Sequence, residues 1–299
     1  MDVVVFGAGS LGSLVGGLLA RVHDVTLVGR DPHMAAVASD GLRVTGVEAF
    51  TVYPATTTDG TGLRADLAVV TVKAFDTGTA AAELATGSFD AALSLQNGMG
   101  NEAVLADALD CAVLAGTTTH GALQRDPGAV EWTGRGETVI GPWDPPELGP
   151  AEAAAEAFDA AGIAVTVDAD VEGRLWEKLA VNAAINPVTA LARVENGALR
   201  DGPAGRVARA AARETAAVAQ AEGVDLEESA AVDRAESVMA ATAANRSSML
   251  QDVAADQRTE IDAIAGYVVD RAEAHGVPVP VNRALSGLVA AWEAGRGLR

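Results

Sequence analysis

The sequence predicts an α/β chain in which an N-terminal doubly wound sheet of the Rossmann type is followed by an all-α C-terminal domain. Three observations carry that prediction. Asp2–Phe6 is a short apolar run with Gly7-Ala8-Gly9-Ser10-Leu11-Gly12 directly behind it, strand-like and helix-like segments alternate as far as about Asp168, and only helical spacing follows. The expected domains are therefore residues 1–168 and 169–299, and a chain of 299 residues is long enough to bury a core in each.

The first thirty residues read as strand (Asp2–Phe6), glycine turn, apolar glycine-spaced helix (Ser13–Ala20) and strand (Asp24–Val28). In G-x-G-x-x-G each glycine has a mechanical reason: Gly7 permits the tight turn, Gly9 lets the backbone approach a pyrophosphate, and Gly12 lets helix and strand pack closely. The helix that follows offers its first N–H groups and positive dipole end to the phosphates, so Gly7, Ala8, Gly9, Ser10, Leu11 and Gly12 are candidate dinucleotide-binding residues. The second strand ends in Val28-Gly29-Arg30-Asp31. An arginine there suits the 2′-phosphate of NADP, so Arg30 favours NADP(H), while the other reading leaves Arg30 in solvent and gives the ribose to Asp31.

Farther along, Leu67–Val72 reads as a buried strand with Lys73 at its C-terminal end, Ala91–Gln96 as another followed by Asn97-Gly98-Met99-Gly100, and Ala112–Ala115 as a third opening into Gly116-Thr117-Thr118-Thr119-His120-Gly121-Ala122. Ligands of open parallel sheets bind beyond the carboxyl ends of strands. Singly, Lys73, Asn97 and His120 read as caps or surface groups; their repeated placement after strands is what draws attention to them. Gly128–Gly141 alternates like a hairpin, Trp143–Pro150 is a proline-rich loop, Ala151–Ala161 a helix and Ile163–Val167 a last strand. Helices are expected at about 172–185, 202–222, 228–241, from 247 onward, 259–274 and 282–294, with Gly276, Pro278 and Pro280 marking one helix end.

Composition narrows the function classes. With 41 acidic against 21 basic residues the net charge is −20, which argues against nucleic-acid or anionic-membrane binding, since both require a cationic footprint. An acidic, lysine-poor, small-residue-rich chain suits a halophilic cytosol, where salt screens self-repulsion; a protein that unfolds in molar salt but stays folded in dilute buffer would refute this. The lone Cys111 can form no internal disulfide, no Cys/His cluster has metal-site spacing, and no apolar stretch reaches a membrane span, so a cytoplasmic protein without a bound metal is expected.

The most specific segment is Leu175–Pro187. Lys178, Asn182 and Asn186 recur every four residues and share one face of an otherwise apolar helix, and Lys178 is one of only two lysines in the chain. Buried amides and ammonium groups are costly without partners, so the stripe calls for another helix or a ligand.

With these residues in view, the chain resembles the ketopantoate reductases (2-dehydropantoate 2-reductases). The likeness runs through GAGSLG at Gly7–Gly12, TVK at Thr71–Lys73, QNGMG at Gln96–Gly100, GTTTHGA at Gly116–Ala122, LWEKLAVNAAINPVTAL at Leu175–Leu191, ENG at Glu195–Gly197, NRSSMLQDV at Asn245–Val253 and TEID at Thr259–Asp262. The resemblance implies a two-domain enzyme that reduces 2-dehydropantoate to (R)-pantoate with NADPH, on the route to pantothenate and coenzyme A. It implies Lys178 as proton donor, with Asn182, Asn186 and Asn196 bonding the substrate and Asn245, Ser247 and Ser248 holding its carboxylate end. Glu260 is implied beside nicotinamide and substrate, where it could bind the 4-hydroxyl, while Lys73, Asn97 and Ala122 line the cofactor and Asn97 also approaches substrate. A compact protonatable head suits proton donation better than a guanidinium, which accounts for a lysine in a chain that otherwise uses arginine.

Two other readings stand beside this one: a related reductase of another branched 2-oxo acid, since one methyl changes binding by only ~1–3 kcal/mol, and a non-catalytic NADP-binding sensor. The alanine-rich helices of the second domain could pair two copies into a homodimer, although stripes of that spacing are more often intrachain core.

Overall fold

The computed structural model describes all residues, Met1–Arg299. The chain runs β1 (Asp2–Phe6), α1 (Ser10–Leu19), β2 (Asp24–Val28), α2 (His33–Asp40), β3 (Leu42–Gly46), β4 (Phe50–Val52), β5 (Ala55–Thr57), β6 (Arg64–Val70), α3 (Thr77–Leu84), β7 (Ser88–Ser94), α4 (Asn101–Ala108) and β8 (Ala112–Thr118). Then come β9 (Gly121–Asp126), β10 (Ala129–Gly134), β11 (Thr138–Asp144), α5 (Leu148–Ala160) and β12 (Val165–Val167). The helical part is α6 (Val171–Ala192), α7 (Gly202–Ala221), α8 (Glu228–Ala241), α9 (Ser248–Ala254), a π-helical turn (Asp262–Gly266), α10 (Tyr267–His275) and α11 (Pro280–Ala294). Two compact units result: Met1–Gln96 with Asn101–Val171, and Asn97–Gly100 with Glu172–Arg299.

The first unit holds an eight-stranded sheet in the order β12-β11-β8-β7-β6-β1-β2-β5. From β1 the chain goes outward through β2 to β5, then returns to β6 and goes the other way through β7 to β8, so the order reverses between β1 and β6. That reversal is where a ligand crevice forms in such sheets, and Gly7 and Thr71–Lys73 follow those two strands. β11 runs antiparallel to β8 and closes the parallel part.

A second sheet, β4-β3-β10-β9, was not anticipated from the sequence. It corrects the hairpin reading of Gly128–Gly141: β10 pairs with β9 and β3, whereas β11 belongs to the large sheet. The hairpin is β9–β10, turned at Gly128 with φ +75°. The second sheet also explains why α1 is apolar on all sides. A Cβ on Gly16 would press on Leu27 and Val5 of the large sheet, while one on Gly17 would meet Leu42 and Val44 of the small one at 3.1 and 3.2 Å. Helix α1 is thus sandwiched between two sheets, and its amphipathic stripe disappears.

In the second unit, Ala208, Ala211 and Ala212 of α7 pack with Ala184, Ile185 and Val188 of α6 and Met239 of α8. Alanine here is core, allowing helices to approach closely. Helix α6 continues through Pro187 to Ala192, beyond the expected end near Ile185; the buried Thr189 hydroxyl donates toward the carbonyls of Ile185 and Asn186 in the turn that the proline disturbs. The expected helix at 259–274 begins instead with the π-turn, and Gly276 ends α10 in the left-handed region at φ +68°.

Candidate active site

In the first unit the glycine turn is built as its spacing requires. Gly7 has φ +109°, and a Cβ there would lie 2.6 Å from Val72 N. Gly12 admits no side chain because Thr71 Oγ1 would lie 2.5 Å from it, and that hydroxyl donates to Gly7 O at 2.9 Å. Gly9 differs: a Cβ would meet nothing nearer than Gly7 O at 4.0 Å. Two glycines are forced by crowding and the middle one leaves open space over the start of α1, where the amides of Ser10, Leu11 and Gly12 have no intrahelical acceptor. Ser10 Oγ accepts the Gln124 N–H at 3.0 Å, which brings β9, with Ala122 on it, alongside this turn.

Arg30 is 88 % exposed in its side chain and donates to Asp76 Oδ2 at 3.0 Å. Asp76 ends the short 3-10 turn that begins after Lys73, its backbone N–H bonding Lys73 O at 2.8 Å, so the carboxylate that holds Arg30 stands three residues after Lys73. Asp31, the alternative ribose acceptor, instead takes the Ala35 N–H at 3.0 Å and holds the first turn of α2. His120 Nδ1 accepts the Gly136 N–H at 3.2 Å, and burial together with nearby Arg135 lowers its pKa below the ordinary histidine value.

In the second unit, Lys178, Asn182 and Asn186 occupy successive turns of α6, the first two half-buried and Asn186 buried. Thr189, one turn beyond Ile185, shares a 2.7 Å bond with Ser247 Oγ, tying this helix to the start of α9. Ser247 also accepts the Leu250 N–H at 3.1 Å, so its hydroxyl serves as the cap of α9, while Ser248 and Asn245 beside it are exposed. The Asn196 N–H bonds Asn245 O at 3.0 Å and its Nδ2 donates to Thr242 Oγ1 at 2.9 Å, zipping the ENG turn to the segment before α9. Asn196 Oδ1 is buried with no protein partner.

Glu260 is 5 % exposed, and its Oε2 accepts Asn97 Nδ2 at 3.3 Å. The loop carrying Asn97 packs on the π-turn after Glu260: the Met99 N–H bonds Ala263 O at 3.0 Å, and a Cβ on Gly98 would sit 2.6 Å from Ala263. Hydrogen bonds in this unit therefore join Asn97 with Glu260, Asn196 with Asn245, and, through Thr189, the Asn186 carbonyl with Ser247. Sequence reasoning did not single out Asp76, which holds Arg30, or Thr189, which bonds Ser247 from within the Leu175–Leu191 motif.

The family model described as "Ketopantoate reductase PanE/ApbA" matches residues 3–145, and "Ketopantoate reductase PanE/ApbA C terminal" matches 170–293. The chain is 47 % identical to a 2-dehydropantoate 2-reductase of Halobacterium salinarum, covering 97 % of this chain and 98 % of the relative. It is 41 % identical to one from Archaeoglobus fulgidus, with 98 % of each covered. A crystal structure of a PanE/ApbA family ketopantoate reductase from Ralstonia eutropha superposes with TM-score 0.90 at 35 % identity, over 99 % of this chain and 100 % of that one. A D-mandelate dehydrogenase solved with NADH and anilino(oxo)acetate shares the fold, with TM-score 0.92 at 22 % identity over 100 % of both chains.

Proposed function

This chain belongs to the ketopantoate reductase family, and on that premise we propose that it reduces 2-dehydropantoate to (R)-pantoate with NADPH, a step toward pantothenate and coenzyme A. The observation that carries the proposal is the lysine and two asparagines on successive turns of α6, in the same unit as the Glu260–Asn97 pair.

The first unit, which we read as the dinucleotide-binding half, fits the cofactor. Gly9 leaves room for a pyrophosphate over the N-terminus of α1, Gly7 to Gly12 supply backbone amides, and Ala122 is on the strand beside them. Arg30 meets the 2′-phosphate that distinguishes NADP(H) from NAD(H), and Lys73 adds a second cation at that edge. Asp31, already bonded to α2, leaves the ribose position to them. When bound, the nicotinamide supplies the hydride that adds to C2.

The helical unit, which we read as the substrate half, supplies the rest. The Lys178 ammonium donates to the C2 carbonyl oxygen, draws charge onto it and gives it a proton as the alkoxide develops; such polarisation typically contributes ~10²–10⁴-fold. Asn182 and Asn186 align the substrate along the same stripe. Asn196 presents a buried, unpaired Oδ1, which a substrate hydroxyl would satisfy. Asn245 and Ser248 hold the carboxylate, with Ser247 fixing their turn as its cap. Glu260 accepts from the 4-hydroxyl while Asn97 steadies it and reaches toward cofactor and substrate.

The proposal extends to a cytoplasmic enzyme that works in molar salt and pairs through its helical unit; no helix is long and apolar enough to cross a membrane. The test is NADPH oxidation with ketopantoate and a panel of other branched 2-oxo acids, in dilute and molar salt, with light scattering for the pairing. Preferential turnover of ketopantoate supports the reading. Turnover of another acid alone overturns the substrate, and NADPH binding without turnover of any overturns the enzyme.

A further inference from the structure

Glu293 of α11 is 0 % exposed. Its Oε1 accepts both the Thr259 N–H at 2.7 Å and the Thr259 hydroxyl at 2.6 Å. The same Thr259 Oγ accepts the Ile261 N–H at 3.2 Å. The residues before and after Glu260 are thus joined to one buried carboxylate. On the far side, Glu260 O and Ile261 O enter the turn, accepting N–H groups from Ile264 at 3.1 Å and Gly266 at 2.9 Å. Arg299 lies with its Nε 3.6 Å from Glu293 Oε2 and bonds Asp262 as well, placing a compensating cation beside the buried anion.

A buried carboxylate is a costly way to hold a backbone unless it fixes something that packing alone would leave loose. We propose that Glu293 is a positioning residue for the reaction: through Thr259 it fixes the backbone on both sides of Glu260 and so sets where the Glu260 carboxylate stands. This rests on the reading of Glu260 as a substrate-binding group. Asn97 holds the carboxylate end of that side chain and Glu293, through Thr259, the backbone end, just before the π-turn that leads into α10.

The experiment compares Glu293→Ala, Glu293→Gln and Thr259→Val with the parent, each checked for folding by circular dichroism, and measures kcat, the KM for ketopantoate and the Kd for NADPH. A misplacement of about 1 Å costs up to ~10²-fold in such sites. Glu293→Ala should raise the ketopantoate KM about tenfold or more with the NADPH Kd within about twofold, and Glu293→Gln, whose carbonyl can accept the same two bonds, should recover most of the loss. Thr259→Val, a smaller change that folds if the alanine variant does not, should raise KM about threefold or more. Glu293→Ala placed on Glu260→Ala should add nothing further. A merely structural glutamate would lower the melting temperature and leave KM unchanged in the folded variants, and that result overturns the proposal. If Glu260→Ala alone leaves KM unchanged, the reading of Glu260 fails and the proposal falls with it; if Glu260→Ala raises KM but the Glu293 and Thr259 variants do not, only the proposal fails.

Discussion

His33 Nδ1 accepts the backbone N–H of Gly128 at 2.9 Å, which assigns the ring proton to Nε2. Nε2 then donates to Ser13 Oγ at 2.9 Å, and the Ser13 hydroxyl in turn donates to Ala8 O at 3.2 Å. A chain of three bonds therefore runs from the β9–β10 turn through a buried imidazole to the glycine turn.

Protonating His33 would set a second ring N–H against that of Gly128, and burial lowers its pKa from the usual histidine value. The sign follows from linkage: below about pH 6.5 the unfolded chain binds a proton that the folded chain resists, so stability falls as pH falls through that value. Melting curves between about pH 8 and 5 should show this loss, and His33→Ala should flatten part of the slope while lowering stability at neutral pH.

Lys178→Ala should reduce kcat by ~10²–10⁴-fold while NADPH binding stays nearly intact. Lys178→Arg should not restore turnover, because a guanidinium keeps its proton. Single-turnover rates with cofactor binding measured in parallel decide this, and unchanged turnover in the alanine variant would falsify the proton-donor role.

Cofactor preference should respond in opposite directions to the two members of the Arg30–Asp76 pair. Arg30→Ala removes a charge-assisted contact and should weaken NADPH by about tenfold with NADH little affected. Asp76→Asn releases Arg30 from its 3.0 Å partner; an exposed pair is worth at most ~1 kcal/mol, so NADPH should tighten by no more than about fivefold. Michaelis constants for both cofactors are the readout, with a parental NADH preference counting against NADP.

Gly98→Ala should cost about 1–3 kcal/mol of stability, since it places a Cβ 2.6 Å from Ala263 at φ +81°. It should also raise the ketopantoate KM by displacing Asn97 from Glu260. Gly62→Ala, at φ +68° with open space around it, has the backbone strain without the collision and isolates the packing part of the effect. Equal melting temperatures for the two variants would contradict the docking of loop 97–100 on the π-turn.

The strands with strong local signals were legible from sequence: Asp2–Phe6 and Asp24–Val28 end where their apolar runs end. The small sheet was not, because β4 spans only three residues and β3 pairs with β10 from far along the chain, which no local period encodes. The stripe of Lys178, Asn182 and Asn186 was readable because helical spacing places i, i+4 and i+8 on one face. Sequence alone does not say which of Ser247 and Ser248 turns inward; the Ser247 hydroxyl accepts the Leu250 N–H and shares a bond with Thr189. Glu293 lay outside every motif because its partner is 34 residues earlier.

The grouping of Asn97–Gly100 with the helical half has a consequence for dissection. A cut near Val171 gives two contiguous fragments, but the later one lacks the Met99 amide for Ala263 and the Asn97 amide for Glu260. Chimaeras with other reductases should therefore inherit this tetrapeptide from the same parent as the helices, although it lies more than seventy residues upstream of them. Crossover sites are set by the fold's interleaving and not by the apparent midpoint of the chain.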